Sequence, residues 1–210
     1  MLYKDPFITA QETLLSIQKL QELSGLSDFF LAGETSLAFQ WGHRHSKDID
    51  LFTQNSFSVG TIIGVLLGNH SITITMVRPN TILAVVDNIK TDFIRHGYPF
   101  IKPPITEEEI RFLGMEDIAA MKLHAIVQSG KRLKDFIDIY FILEHFTMAE
   151  IVGFYEEKYS FSNAVVALKA LNYFDEIDEE IDPPKMITTI PLLEIQTRLR
   201  SAIVNPYITF

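Results

Sequence analysis

The sequence predicts an α/β (α+β) protein in two parts, a mixed sheet domain over residues 1–100 and a helical domain over residues 101–210. Three observations predict it. Short apolar runs alternate with helical patterns through the first half, which is how mixed sheet domains read. A proline- and acid-rich segment then intervenes, Ile101-Lys102-Pro103-Pro104 followed by Glu107-Glu108-Glu109, with the look of an exposed crossing. Beyond it the periodicity is helical.

In order, Leu14, Ile17, Leu20 and Leu23 recur at helical spacing and predict an amphipathic helix over 10–24, ending near Gly25. Phe29-Phe30-Leu31 reads as a buried strand that runs into Gly33-Glu34-Thr35, with a short helix over 36–42 after it. A second strand is expected over 49–52 and a helix over 59–67. Three β-rich runs follow at 71–77, 81–86 and 90–94, separated by turns at Pro79-Asn80 and Asp87-Asn88. The second half predicts helices over 116–128, 134–146, 148–159 and 163–173.

Composition sets limits. The 210 residues carry 18 Lys plus Arg against 27 Asp plus Glu, a net charge of −9, and 47% are hydrophobic. That is enough apolar material for a sizeable core and excludes general disorder. The absence of cysteine removes disulfides, Cys-bound zinc and thiol catalysis. No apolar run approaches the length of about 20 residues that spans a bilayer, and the first residues are too polar for a signal peptide, so a soluble, cytoplasmic protein is expected. Net acidity argues against a broad nucleic-acid clamp. Six of the acids lie in residues 174–182, without Lys or Arg, which reads as a solvated loop; the rest of the chain is close to balanced.

The chemistry gathers around two blocks. Asp48 and Asp50 open a strand, where period-two geometry puts both carboxylates on one face. Such a pair repels unless a cation lies between, and Mg²⁺, which completes its shell with substrate phosphates, suits it. Upstream, the strand-loop-helix passage at Gly33 presents backbone N–H groups and the Thr35 and Ser36 hydroxyls to a phosphate, or is simply an ordinary helix start. Asp92, on a later strand, is a third candidate acid for metal binding or proton transfer. His43 and His45 beside Asp48 and Asp50 offer a second reading, a metal hydrolase. In the helical half, Lys122 is the only formally charged residue of residues 118–127, and Asp135 and Asp138 share a helix face at i, i+3. Buried acids need a partner, which Lys122 or Arg132 can supply.

Taken together, these residues resemble the AbiEii/AbiGii toxin family of nucleotidyltransferases, in the minimal nucleotidyltransferase (polymerase β-like) superfamily. The resemblance rests on G-x-T-S-L at 33–37 and on His43-Arg44-His45-Ser46-Lys47-Asp48-Ile49-Asp50-Leu51-Phe52. It continues through E-D-x-x-x-x-K ending at Lys122, R-x-K-D-x-x-D from Arg132 to Asp138, and Tyr173-Phe174-Asp175. It implies a nucleotidyltransferase-like sheet domain followed by the helical domain. The implied activity is nucleotidyl transfer from an NTP, with Mg²⁺ on Asp48, Asp50 and Asp92, and with Gly33, Thr35, Ser36, Arg44 and Arg132 near the substrate. It further implies Lys122 against phosphate, Asp135 and Asp138 as acids tied to activity, a tRNA or other RNA end as acceptor, and an antitoxin protein as partner. The family pattern has a second glycine where this chain has Glu34; a degenerate relative that binds nucleotide or a protein partner without catalysis is the alternative.

Overall fold

In a computed structural model the described residues are 2, 3, 5–181 and 183–210; Asp182, at the end of the acidic stretch, lies outside them. The expected mixed α/β architecture holds, and the chain divides into two units, Met1–Leu113 and Gly114–Phe210.

The first unit comprises α1 (Gln11–Glu22), β1 (Phe30–Ala32), α2 (Gly33–Trp41), the two-residue β2 (Arg44–His45), β3 (Ile49–Thr53), α3 (Val59–Leu67), β4 (Ile72–Arg78), β5 (Thr81–Val86), β6 (Ile89–Arg95), β7 (Ile105–Glu107) and β8 (Ile110–Phe112). Its seven-stranded sheet has the order β4-β5-β6-β3-β1-β8-β7. The β4-β5-β6 meander is antiparallel, β3 runs parallel to β6, and β1 is antiparallel to β3 and parallel to β8. Alternation sorts the two faces: Ile49, Leu51 and Thr53 of β3 are buried, while Asp50 and Phe52 are half-buried on the other face. On the buried side Leu31, Leu51, Ile82, Phe93 and Phe112 join Ile17 and Leu20 of α1 and Ile62 and Leu66 of α3 in one core. The tight turns follow the sequence signals, with Asn80, Asp87 and Asn88 at positive φ.

Residues 105–112, which overlap the segment expected as an exposed crossing, form the β7-β8 hairpin. Its turn residues Glu108 and Glu109 have φ of 51° and 66°. Acids at these positions mask a turn that asparagine and glycine usually mark. The helix expected from residue 36 begins earlier, at Gly33.

The second unit comprises α4 (Met115–Gln128), α5 (Leu133–Ile142), α6 (Met148–Lys158), α7 (Ala164–Leu171), the two-residue β9 (Lys185–Met186) and α8 (Leu192–Val204). Its core joins Ile118 and Leu123 of α4, Phe136 and Ile139 of α5, Ile151 of α6, Leu171 of α7 and Leu199 of α8. Thr147 and Glu150 close a capping box at the start of α6. Helix α8 was not anticipated, although Ile195, Leu199 and Ala202 recur at helical spacing. Among the described residues no helix is long and apolar enough to cross a membrane.

Candidate active site

The parallel β3-β6 pairing places Asp50 directly beside Asp92. Two residues back along each strand, on the same face, stand Asp48 and Lys90. The Lys90 Nζ lies 3.1 Å from Asp48 Oδ2. Three carboxylates and one ammonium therefore form a four-residue patch on the face of the sheet opposite the core.

Asp92 and Lys90 register their neighbours. Burial raises the pKa of Asp92; the positive charge of Lys90 opposes that rise and the negative charge of Asp48 adds to it. Asp92 Oδ1 is buried with no hydrogen-bond partner. Burial acts to lower the Lys90 pKa, but the hydrogen bond and charge of Asp48, with the charges of Asp92 and Asp50, outweigh it, and the pKa is raised.

Gly33 closes the patch from the side of β1, whose last residue, Ala32, pairs with Asp50. Its φ is +66°, and a β-carbon there would lie 2.2 Å from Asp50 Oδ2. Glycine is required on both counts. Gly33 also opens α2, whose N-cap, Ala32, has no side chain to cap the first-turn N–H groups. Thr35 and Ser36, the hydroxyls expected to face a phosphate, are fully buried. The Thr35 hydroxyl meets Ser46 Oγ at 2.7 Å and donates to the Asp48 carbonyl; Gln40 donates to Ser36 Oγ at 3.1 Å. Thr35 thus ties the first turn of α2 to the residue before β3 and fixes where Asp48 begins.

Glu34 turns to Arg44, its Oε2 lying 3.2 Å from the guanidinium, with side-chain exposures of 15% and 2%. The second glycine of the family pattern is replaced by one half of an ion pair. His45 Nδ1 lies 2.7 Å from the Phe7 carbonyl oxygen, and among the described residues no group of three or more His, Asp or Glu closes around a point able to hold a metal. Neither the hydrolase set of His43, His45, Asp48 and Asp50 nor the trio of Asp48, Asp50 and Asp92 is gathered into a closed metal cage. A cleft of about 490 Å³ adjoins the patch, lined by Glu12, His45, Lys47, Asp48, Asn88 and Lys90 among others.

In the helical unit, Lys122 Nζ lies 3.1 Å from Asp135 Oδ1 and 2.7 Å from Asp138 Oδ2. Arg132 forks onto both oxygens of Asp135 at 2.9 and 3.1 Å. Lys122, Asp135 and Asp138 are buried, while Arg132 is 40% exposed. A second buried pair, Lys158 with Asp117 at 2.6 Å, links α6 to α4. Sequence reasoning missed it, and missed Lys90. Lys90 was legible: it precedes Asp92 by the same two-residue step by which Asp48 precedes Asp50.

The family model described as nucleotidyl transferase AbiEii toxin, type IV toxin–antitoxin system, matches residues 18–205. The chain belongs to the AbiEii nucleotidyltransferase toxin family. By sequence, the chain is similar to an uncharacterized protein of Aquifex aeolicus (strain VF5), aq_aa25, 31% identical over 175 residues, spanning 79% of this chain and 83% of that one. The fold is similar to that of MenT4, a nucleotidyltransferase toxin from Mycobacterium tuberculosis H37Rv, with a TM-score of 0.62 and 13% identity over 92% of this chain and 80% of that one. A candidate nucleotidyltransferase from H. pylori matches with a TM-score of 0.59 and 18% identity over 93% of this chain and 96% of that one.

The Asp50 and Asp92 carboxylates of this AbiEii protein offer the small ligand number that Mg²⁺ takes from a protein. Mg²⁺ takes only one or two carboxylates from a protein and fills its shell with water and phosphate oxygens, so a closed cage is not needed. Asp92 Oδ1 has an unused acceptor, and the missing side chain at Gly33 leaves the Asp50 carboxylate its place.

Proposed function

We propose that this AbiEii nucleotidyltransferase is Mg²⁺-dependent and moves a nucleotidyl group from an NTP to an RNA end, such as a tRNA acceptor, in the cytoplasm. The observation that carries the proposal is the side-by-side placement of Asp50 and Asp92, with Asp48 one step away, against the glycine that starts α2. Asp48, Asp50 and Asp92 would hold the ion. An ion held there would supply positive charge against that developing on the transferred phosphate and its leaving group. The uncapped first turn of α2 offers N–H donors and a positive dipole end to phosphate oxygens. Asp92 Oδ1, buried without a hydrogen-bond partner, is the open acceptor that Asp92 would bring to the ion.

Thr35, Ser36, Glu34 and Arg44 serve by holding that turn and Asp48 in place, a role their burial and pairings support. In the helical unit Lys122, Asp135 and Asp138 form a buried ion cluster braced by Arg132, and their burial supports a role in holding that unit together. An antitoxin is the expected protein partner of a toxin from this family.

The test is direct. Purified protein, Mg²⁺ and α-labelled NTPs, supplied with total RNA, should label an RNA species, and Asp48→Ala should abolish the label. Equal labelling by wild type and variant contradicts the proposal.

A further inference from the structure

Lys90 sits on one of the carboxylates that the metal reading uses. Its Nζ is 3.1 Å from Asp48 Oδ2, and the β3-β6 register holds it one step from the Asp50 and Asp92 pair. An ammonium and a divalent cation on one carboxylate repel each other, so the two compete for Asp48. The ion pair is open to solvent, with side-chain exposures of 59% for Lys90 and 34% for Asp48, and pairs of this kind are weak and easily broken. The cleft that both residues line gives the flexible side chain somewhere to go.

We propose that Lys90 is the resident counter-ion of the Asp48, Asp50 and Asp92 patch, and that it must yield Asp48 before a divalent ion can bind. Lys90 is a positioning residue in this scheme. It is the cation held against three clustered carboxylates while no substrate is present, and it makes free metal bind weakly. Uptake is then coupled to the nucleotide, because a metal that arrives bound to a triphosphate brings extra ligands and extra binding energy to displace the lysine. The inference rests on the metal-dependent reading above and adds to it the order in which the site is charged.

Mn²⁺ binding to the full chain without nucleotide, followed by electron paramagnetic resonance of the free ion, tests this apart from activity. Lys90→Met should tighten Mn²⁺ binding by about two- to fivefold, the strength of an exposed ion pair. Lys90→Arg, which keeps the charge, should bind as wild type does. Unchanged or weaker binding by Lys90→Met, or equal tightening by Lys90→Arg, overturns the proposal. Asp50→Asn separates the two levels. If it abolishes binding while Lys90→Met changes nothing, only the role of Lys90 falls. If no protein binds Mn²⁺, or Asp50→Asn binds as wild type does, the metal site itself falls, and Lys90 with it.

Discussion

The Asp50 carboxylate occupies the space that a side chain would need at Gly33, 2.2 Å from the position of a β-carbon there. Gly33→Ala therefore meets two penalties, a clash and a left-handed backbone at φ +66°. The backbone penalty alone is about 1–2 kcal/mol. The clash forces the Asp50 carboxylate from its place, and a misplacement of about 1 Å costs about a hundredfold in rate. Thermal melting and NTP transfer assays on Gly33→Ala should show both losses together.

Glu34 departs from the family pattern without leaving a charge stranded, because it faces Arg44. Glu34→Gly removes the carboxylate partner of a buried guanidinium and puts glycine in a helix. The variant should lose about 1–3 kcal/mol of stability in urea titrations and show no gain in nucleotidyl transfer. A gain in activity would mean instead that Glu34 obstructs the nucleotide.

Lys122 is held by two acids that are themselves buried. Lys122→Ala strips both of that ammonium, and breaking a buried pair from one side costs roughly 3–5 kcal/mol. Denaturant unfolding should register that loss, and the double variant Lys122→Met with Asp138→Asn should recover a large part of it. An activity defect in Lys122→Ala has meaning only at temperatures where the variant is folded.

His124 stacks on Tyr159 with ring centroids 4.1 Å apart, and its Nδ1 is buried with no hydrogen-bond partner. Burial lowers its pKa below the usual histidine value. Below about pH 6.5 the unfolded chain then binds the proton more readily than the folded one. The contribution of His124 to stability is complete above that pH and declines as pH falls below it. Urea midpoints at pH 7.5 and 5.5 should differ less in His124→Phe than in wild type.

Much of the fold was legible because its signals are local. Strand β5 and helix α3 fall where alternation and periodicity put them, and Asn80, Asp87 and Asn88 mark tight turns by their own conformational preference. The β7-β8 hairpin was hidden because glutamates occupy a turn that local preference assigns to other residues. At the site, the spacing of Asp48 and Asp50 shows that they share a face, but only strand order can put Asp92 next to Asp50, since that pairing is set by the sheet and not by sequence distance. The direction of a hydroxyl is equally illegible. Thr35 looks the same in sequence whether it meets a phosphate or, as here, Ser46 and the Asp48 carbonyl.

The central claim is that the Asp48, Asp50 and Asp92 patch performs nucleotidyl transfer. Single-turnover transfer from an α-labelled NTP to RNA by Asp50→Asn, which keeps the shape of the side chain and removes its charge, measures that most directly. The account predicts a folded protein, by its melting curve, whose transfer rate falls at least about a hundredfold. A folded Asp50→Asn enzyme that transfers at the wild-type rate would contradict it.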